Sequence, residues 1–294
     1  MTIEPVKSVG VAGAGFMGSG IAEAAARAGV LVTVYEPGER ALAGSRERID
    51  RSVARAVRGG KLSPQEGVQL VERIVWTSDL DALADADVVV EAIVEDLATK
   101  RELFARLDAA AAGARILASN TSSIPIASLA AATRRPERVC GLHFFSPVPV
   151  MSLVELVVGL DTSLETIAAA EAFAGQIGKH AIRTKDRAGF VVNFLLVPYL
   201  MSAVRMLEDG FATREDIDEG MKQGCGHPMG PLTLCDFIGL DVLEAVCDSL
   251  YEEFKRADYA PPALLRRMVA AGRHGRKSGR GFYDYAPDPA KVTA

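Results

Sequence analysis

The sequence predicts an α/β domain with a mostly parallel β-sheet, followed by an all-helical domain. Up to about Ile182, short apolar runs alternate with helical stretches. Continuous apolar runs such as VVVEAI are typical of parallel strands that helices cover on both faces. From Gly189 onward only helical patterns remain, separated by glycine and proline breaks. We therefore expect a first domain over 1–187, a helical domain over 188–285 and a flexible tail over 286–294.

The first domain is predicted to alternate strands and helices from its beginning. A strand over 9–12 leads to an alanine-rich helix over 16–28. A second strand over 30–35 leads to a long helix over 40–58, and another clear helix is predicted over 97–111. Five further runs have a β-like pattern, namely 73–77, 87–92, 115–118, 138–142 and 152–158.

Composition and charge argue against several classes of protein. The 294 residues include 33 Lys and Arg against 38 Asp and Glu, and this net charge of −5 is unfavourable for binding a nucleic-acid duplex. The sequence has neither a signal-peptide pattern at its start nor an apolar run of about 20 residues. Four cysteines without a CxxC pair indicate free thiols, and Cys225 with His227 lacks the second ligand pair of a metal site. We expect a cytoplasmic protein without nucleic-acid, membrane or metal partners.

A glycine pattern follows the first predicted strand. Gly13, Gly15 and Gly18 form G-x-G-x-x-G, which allows a tight turn, close approach of a pyrophosphate and close helix–strand packing. Glu36 stands at the end of the second strand, 23 positions after Gly13. A carboxylate there binds a ribose diol and repels a 2′-phosphate. The alternative is a structural turn with a surface acid, but the complete pattern favours an NAD site.

Polar residues at strand ends are candidates for chemistry. His143 is predicted at the end of one strand and Glu155 within the next. A histidine oriented by a carboxylate is a suitable general base for an alcohol proton, although a structural hydrogen bond is the alternative. From its residues alone, segment 119–123 is interpreted as a turn with an N-cap for a helix at Pro125. Asn193 lies in an apolar helical run, where a polar side chain normally needs a hydrogen-bond partner. This partner can be a backbone group or a ligand.

Seven segments together resemble the L-3-hydroxyacyl-CoA dehydrogenases, most closely the short 3-hydroxybutyryl-CoA type. The resemblance extends over about 7–285 and implies a Rossmann-like NAD domain followed by a helical domain that dimerises. It also implies NAD-dependent oxidation of a (3S)-3-hydroxyacyl-CoA to the 3-oxoacyl-CoA, and the reverse. The segments are GAGFMGSGIA, EAIVED, LASNTSSIPI, GLHFFSPVPVMSLVEL, GFVVNFLLVPYL, HPMGPLTLCDFIGLD and GRKSGRGFYDY.

The resemblance implies a role for each matching residue. His143 would be the general base and Glu155 its orienting partner. Ser122 and Asn193 would hydrogen-bond the substrate oxygens. Within the cofactor site, Glu36 would hold the adenosine ribose, and Glu95 and Lys100 would lie near the nicotinamide half. The residues implied to bind NAD are Gly13, Gly15, Phe16, Met17, Gly18, Glu36, Glu95, Lys100, Asn120 and Lys277.

The predicted helix over 40–58 carries a basic face. Ser52 and Arg55 match contacts of the family to coenzyme A, while the second basic position falls on Gly59, beside Arg58. A solvated charged face is the alternative interpretation. The phosphates of CoA need such cations, and so does the phosphopantetheine of an acyl carrier protein, so both carriers stay open.

Two positions depart from the family pattern. Ser146 replaces the asparagine of HFFNP, and Phe194 replaces the arginine that usually follows Asn193. Serine has a shorter reach than asparagine, so the support around His143 and Glu155 is expected to differ, but neither change replaces this pair and we expect the chemistry to be retained. A carrier-protein dehydrogenase and a non-catalytic NAD-binding sensor are the alternatives to the proposed enzyme. The intact set of catalytic residues argues against a non-catalytic role.

Overall fold

The computed structural model describes residues 3–285, which form two compact units, one ending at Arg187 and one beginning at Ala188. The predicted tail, 286–294, lies outside the described residues. The first unit contains one eight-stranded β-sheet. Its strands in chain order are β1 (Ser8–Ala12), β2 (Leu31–Tyr35), β3 (Ile74–Thr77), β4 (Val88–Glu91), β5 (Ile116–Ser119), β6 (Val139–Phe144), β7 (Leu153–Val158) and β8 (His180–Lys185).

The strands lie in the order β3-β2-β1-β4-β5-β6-β7-β8, and all neighbouring pairs are parallel except β6 and β7. The predicted mostly parallel α/β sheet is therefore confirmed. The strand order reverses between β1 and β4. The carboxyl ends of these two strands therefore border the crevice in which open α/β sheets bind ligands.

Six α-helices connect these strands. They are α1 (Phe16–Arg27), α2 (Glu39–Arg58), α3 (Pro64–Glu72), α4 (Leu97–Ala110), α5 (Ile126–Ala130) and α6 (Leu164–Gln176). The small buried side chains Ala22 and Ala25 allow α1 to pack closely against β1 and β2. The sequence prediction lacked α3, although it begins with a capping box between Ser63 and Glu66.

Two features of the first unit differ from the prediction. The β pattern is expected to end at Ile182, but β8 continues beyond it as an edge strand of partly exposed, largely polar residues. Segment 119–123 is expected to cap the helix that follows it. Instead, the N–H groups of Ile126 and Ala127 both donate to the Asp186 carboxylate at 2.9 Å. Asp186 is distant in sequence, so no local pattern identifies it as the cap.

The second unit is helical, as predicted. Its helices are α7 (Val192–Glu208), α8 (Arg214–Cys225), α9 (Pro231–Ile238), α10 (Leu240–Phe254) and α11 (Ala263–Ala270). They enclose a separate apolar core that includes Leu200, Leu232 and Leu250. The chain breaks after α8 and α9 fall at Gly226 and Gly239, which both have positive φ angles. Within residues 3–285, no helix combines the length and apolar character needed to cross a membrane.

Candidate active site

Three polar side chains meet at the edge of the sheet where β5 and β6 end. His143 on β6 is the direct cross-strand partner of Glu155 on β7. His143 Nδ1 lies 2.7 Å from a Glu155 carboxylate oxygen, and His143 Nε2 lies 2.9 Å from Ser122 Oγ. His143 is 5% exposed and Glu155 is fully buried. A carboxylate at Nδ1 favours the tautomer with its proton there, which leaves a lone pair on Nε2 to accept a proton.

The serine-rich loop after β5 is held by Glu95. This carboxylate accepts hydrogen bonds from the Ser122 N–H at 2.9 Å and from the Thr121 hydroxyl. Burial by itself would raise the pKa of Glu95, but the Lys100 ammonium and these hydrogen bonds lower it overall. Glu95 is therefore ionised at neutral pH, and it fixes the backbone of Ser122 beside His143.

A buried ammonium group supports the same loop. Lys100 on α4 is 1% exposed, and its Nζ lies 2.5 Å from Glu91 and 3.2 Å from Glu95. The fully buried Glu91 also accepts a hydrogen bond from the Ser119 hydroxyl at 2.6 Å. Sequence reasoning identified Glu95 and Lys100 but missed Glu91. The missed signal was a charged residue ending an apolar strand, because such a residue is rarely buried without a partner.

Asn120 connects the ends of β4, β5 and β6. Its side-chain oxygen accepts the Phe144 N–H at 2.9 Å, and its own N–H donates to the Glu91 carbonyl at 2.8 Å. Asn120 therefore links the ends of these neighbouring strands by hydrogen bonds. Its implied contact with NAD stays a prediction.

The glycine loop, residues 13–18, lies between β1 and α1. Gly13 has φ +116°, and a Cβ there would lie 2.5 Å from the Ala92 carbonyl oxygen. A Cβ at Gly18 would lie 1.9 Å from the Gly13 carbonyl oxygen. A Cβ at Gly15 would meet none of the described atoms outside its neighbours within 4 Å. Two glycines are thus required by close backbone packing, whereas Gly15 leaves open space of the kind a pyrophosphate needs.

Glu36 lies directly beside the glycine loop. Its carboxylate accepts the N–H of Ala14 at 3.2 Å and that of Gly38 at 3.3 Å. No side chain among the described residues caps the N-terminus of α1, where Phe16 is exposed and Met17 packs partly against the core. The first-turn N–H groups can therefore receive a phosphate. These residues fit NAD, with the loop and α1 for the pyrophosphate and Glu36 for the ribose.

α2 lines an open cleft of about 770 Å³. Ser52 and Arg55 belong to the lining, whereas Arg58 is exposed and does not lie among the described lining residues. Four more charged residues line the cleft, namely Glu23, Arg27, Lys61 and Lys179. Three of them come from α1 and from the segment after α6. Sequence reasoning did not assign them to this site, because only folding brings these segments beside α2.

Two predicted site residues belong to the second unit. Asn193 is half-buried in the first turn of α7. Lys277 lies in a short 3₁₀ helix (Arg276–Ser278), and its Nζ is 2.6 Å from the Asp241 carboxylate. Their contacts with substrate and cofactor stay predictions.

Sequence profiles of one known family match nearly the whole chain. Residues 8–187 match "3-hydroxyacyl-CoA dehydrogenase, NAD binding domain", and residues 189–285 match "3-hydroxyacyl-CoA dehydrogenase, C-terminal domain". The chain belongs to the 3-hydroxyacyl-CoA dehydrogenase family. The resemblance inferred from the sequence is confirmed, and NAD is the cofactor that the matched domain binds.

Individual relatives cover both units. A Mycobacterium tuberculosis protein named 3-hydroxybutyryl-CoA dehydrogenase is 54% identical over 284 residues, which are 96% of this chain and 99% of the relative. The mitochondrial hydroxyacyl-coenzyme A dehydrogenase of Sus scrofa is 45% identical over 95% of this chain and 91% of its own. The crystal structure of (S)-3-hydroxybutyryl-CoA dehydrogenase from Ralstonia eutropha has a TM-score of 0.91 and 45% identity. It covers 96% of this chain and 100% of that protein.

The two departures from the family pattern have different surroundings. Ser146 is exposed in the connection between β6 and β7, and the His143–Glu155 contact forms without it. Phe194 packs against Phe254, with ring centroids 5.4 Å apart. An apolar contact in the second core thus occupies the position at which the family usually has a positive charge.

No metal site was predicted. Within residues 3–285, no group of at least three His, Cys, Asp or Glu side chains could hold a metal ion. His227, the sequence candidate, has its Nδ1 3.2 Å from the Tyr199 hydroxyl.

Proposed function

We propose that this protein catalyses the reversible, NAD-dependent oxidation of a (3S)-3-hydroxyacyl-CoA to the 3-oxoacyl-CoA. The proposed substrate is 3-hydroxybutyryl-CoA, which the names of the M. tuberculosis and R. eutropha relatives contain. In the oxidation, carbon 3 loses a hydride with its electron pair, the hydroxyl loses a proton, and a carbonyl forms. The observation that carries this proposal is the line of contacts from Ser122 through His143 to Glu155.

His143 is the proposed general base. The lone pair on its Nε2 takes the proton from the substrate hydroxyl, and the Glu155 carboxylate stabilises the imidazolium that results. In the reverse direction the imidazolium returns this proton to the oxygen on carbon 3. The Ser122 hydroxyl, 2.9 Å from Nε2, is positioned to hydrogen-bond the same oxygen. We assign Asn193 to the second substrate oxygen.

NAD, when bound, supplies the acceptor for the hydride. The glycine loop and the N–H groups of α1 are the proposed pyrophosphate site, and Glu36 is the proposed ribose contact. The Glu36 carboxylate would repel the 2′-phosphate of NADP. Glu95 and Lys100 keep the serine loop in position on the nicotinamide side, and Lys277 is the proposed contact from the second unit.

The cleft beside α2 is the proposed site for the phosphates of CoA. Ser52 offers a hydroxyl, and four cations line the cleft, namely Arg27, Arg55, Lys61 and Lys179. CoA carries several phosphates, whereas the phosphopantetheine of an acyl carrier protein carries a single one. The number of cations therefore favours CoA over the carrier protein.

We further propose a homodimer, formed through the second unit, in the cytoplasm. The described surface of this unit exposes large apolar side chains that a second subunit would bury, such as Leu195, Phe211 and Phe237. All four cysteines are free thiols, which fits a reducing compartment. Light scattering at micromolar concentration tests the assembly, and a monomer would contradict it.

An assay of NADH oxidation with acetoacetyl-CoA tests the proposed reaction. The same acetoacetyl group on an acyl carrier protein is assayed in parallel. We expect turnover with acetoacetyl-CoA. Binding of NADH without turnover of either substrate would refute the proposal. Turnover of the carrier-protein substrate alone would show that the acyl carrier protein, and not CoA, carries the acyl group.

A further inference from the structure

Glu23 is an acidic side chain in the cleft beside α2, and the other charged residues that line this cleft within residues 3–285 are cations. It lies on α1, is 4% exposed, and accepts a hydrogen bond from the Ser52 hydroxyl at 2.9 Å. The remaining titratable groups that line the cleft come from α1, α2 and the segments after α2 and α6. They are Arg27, Arg55, Lys61 and Lys179. A carboxylate at this position opposes the positive potential on which binding of an anionic carrier depends.

The direction of the hydrogen bond between Ser52 and Glu23 depends on the charge of Glu23. A hydroxyl has a single proton to donate, and an ionised carboxylate can only accept. When Glu23 is ionised, Ser52 must donate to it, so the Ser52 proton cannot be offered to a phosphate oxygen. When Glu23 is neutral, its own O–H can donate to Ser52, and the Ser52 proton becomes free for a ligand.

We propose that Glu23 is a specificity-determining residue that controls the affinity of this cleft for the anionic carrier of the acyl group. Its ionised form holds the Ser52 proton and repels the carrier, and its neutral form releases Ser52 to bind a phosphate. This inference rests on the proposed function, since it takes the carrier to be CoA. It gives the cleft a dependence on pH that is separate from the proton transfer at His143.

Glu23 changes between its neutral and ionised forms at a higher pH than an exposed glutamate does, because of its surroundings. Burial raises the pKa of Glu23, and this effect exceeds the lowering by the Ser52 hydrogen bond and by neighbouring cations. The cations that lower it are Arg27, Arg55 and Lys179. Since the ionised form is the one that repels the carrier, the KM for an acyl-CoA should rise as pH increases through the pKa of Glu23.

The variant Glu23→Gln tests the inference directly. Its amide has nearly the same shape, cannot ionise, and can donate to Ser52 as the neutral carboxyl does. At about pH 8 we expect the KM for acetoacetyl-CoA to fall about tenfold, because a like charge is removed from the cleft. The kcat and the KM for NADH should not change. The KM for the acetoacetyl thioester of N-acetylcysteamine, which has no phosphates, should also stay the same.

The pH profile separates Glu23 from the phosphates of the substrate. Phosphate monoesters titrate near pH 6 themselves. The ratio of the wild-type KM to the Glu23→Gln KM cancels that titration. We expect this ratio to rise with pH and to level off above the pKa of Glu23. A ratio that does not change with pH, or a KM that rises in Glu23→Gln, would overturn the inference.

Two further variants complete the test. Glu47→Gln on α2 removes the same charge from an exposed side chain outside the cleft and should leave the KM for acetoacetyl-CoA unchanged. Ser52→Ala should raise this KM more at low pH than at high pH, because Ser52 is available only when Glu23 is neutral. An equal rise at every pH would contradict the inference even if Glu23→Gln did not fold. If the wild-type protein did not turn over acetoacetyl-CoA at all, the proposed function would fail instead.

Discussion

His143 and Glu155 face each other directly across the antiparallel strands β6 and β7, and His143 Nδ1 lies 2.7 Å from the Glu155 carboxylate. Cross-strand partners have Cβ atoms about 4.5–5.5 Å apart, so the register of the two strands itself brings these side chains into contact. The contact at Nδ1 of the imidazole thus depends on the register of the sheet, while the contact at Nε2 comes from Ser122 on the loop after β5. Because the two residues share one contact, their contributions to catalysis should be coupled.

Removal of the base should slow the reaction strongly. We expect His143→Ala to lower kcat by about 10²–10⁴ and Glu155→Gln to lower it by a smaller factor. The double variant should be hardly slower than His143→Ala, since the two residues act as one unit. Steady-state kinetics at saturating substrate and NADH test this, with His180→Ala, an exposed histidine on β8, as control. If His143→Ala kept most of its turnover, the pair would have a structural role only.

The buried ion pair of Lys100 and Glu91 should be important for stability. Lys100→Met leaves the fully buried Glu91 carboxylate without its ammonium partner. Loss of one member of a buried pair typically lowers the free energy of unfolding by about 3–5 kcal/mol. Urea unfolding followed by tryptophan fluorescence reports on the first unit, because the single tryptophan of the chain, Trp76, lies on β3.

A matched surface variant gives the reference for this measurement. Arg51 lies 4.0 Å from Glu47 on α2, and both side chains are largely exposed. We expect Arg51→Met to change the free energy of unfolding by less than about 1 kcal/mol. If Lys100→Met and Arg51→Met lowered the free energy of unfolding equally, the buried pair would contribute no more to stability than the exposed pair.

Much of the fold follows from local patterns, and the exceptions have clear physical reasons. Apolar strands that alternate with helices predict the parallel sheet, and glycine breaks predict the helices of the second unit. β8 reaches Lys185, beyond the expected end of the β pattern at Ile182, because a partly exposed edge strand does not need an apolar run. α3 is a different case, because the capping box of Ser63 and Glu66 is a local pattern that marks the start of this helix in the sequence itself.

The candidate site was predictable where its residues belong to contiguous motifs. Two of the missed residues, Glu23 and Asp186, make their contacts with distant parts of the chain. Glu23 on α1 accepts a hydrogen bond from Ser52 on α2. Asp186, 60 residues along the chain, accepts the N–H of Ile126 at the N-terminus of α5. A charged residue in an apolar segment indicates that a partner exists, but only the fold identifies it.

Replacing Gly15 by alanine should weaken NADH binding, whereas replacing Gly18 by alanine should destabilise the fold. A Cβ at Gly15 meets open space, so Gly15→Ala should change the free energy of unfolding by less than about 0.5 kcal/mol. The same methyl group would occupy space that the pyrophosphate needs, so the affinity for NADH should fall. Gly18→Ala places a Cβ 1.9 Å from the Gly13 carbonyl oxygen and should destabilise the first unit itself.

Titration calorimetry with NADH and the Trp76 unfolding assay separate the two glycines. Unchanged NADH affinity in a folded Gly15→Ala protein would show that the cofactor does not approach the loop at this residue. A Gly18→Ala protein as stable as the wild type would contradict the close packing of α1 on the glycine loop.

The charge of Glu36 should determine the choice of cofactor. We expect the wild-type protein to prefer NADH over NADPH by at least about tenfold in kcat/KM, because a carboxylate beside the ribose repels a 2′-phosphate. Glu36→Gln removes that charge and keeps one acceptor oxygen, which can hold either the Ala14 or the Gly38 N–H, because these two groups donate to different oxygens of the Glu36 carboxylate. It should therefore raise kcat/KM for NADPH. Its effect on kcat/KM for NADH should be smaller.

Glu36→Ala distinguishes the charge from the support that the carboxylate gives to the loop. It removes both hydrogen bonds as well as the charge, so it should weaken NADH binding while the preference over NADPH narrows. Glu39→Gln, at an exposed position in the first turn of α2, removes one negative charge nearby and should leave the preference intact. Equal rates of the wild-type protein with the two cofactors would refute the role of Glu36, since a carboxylate at the ribose cannot accept both ligands equally well.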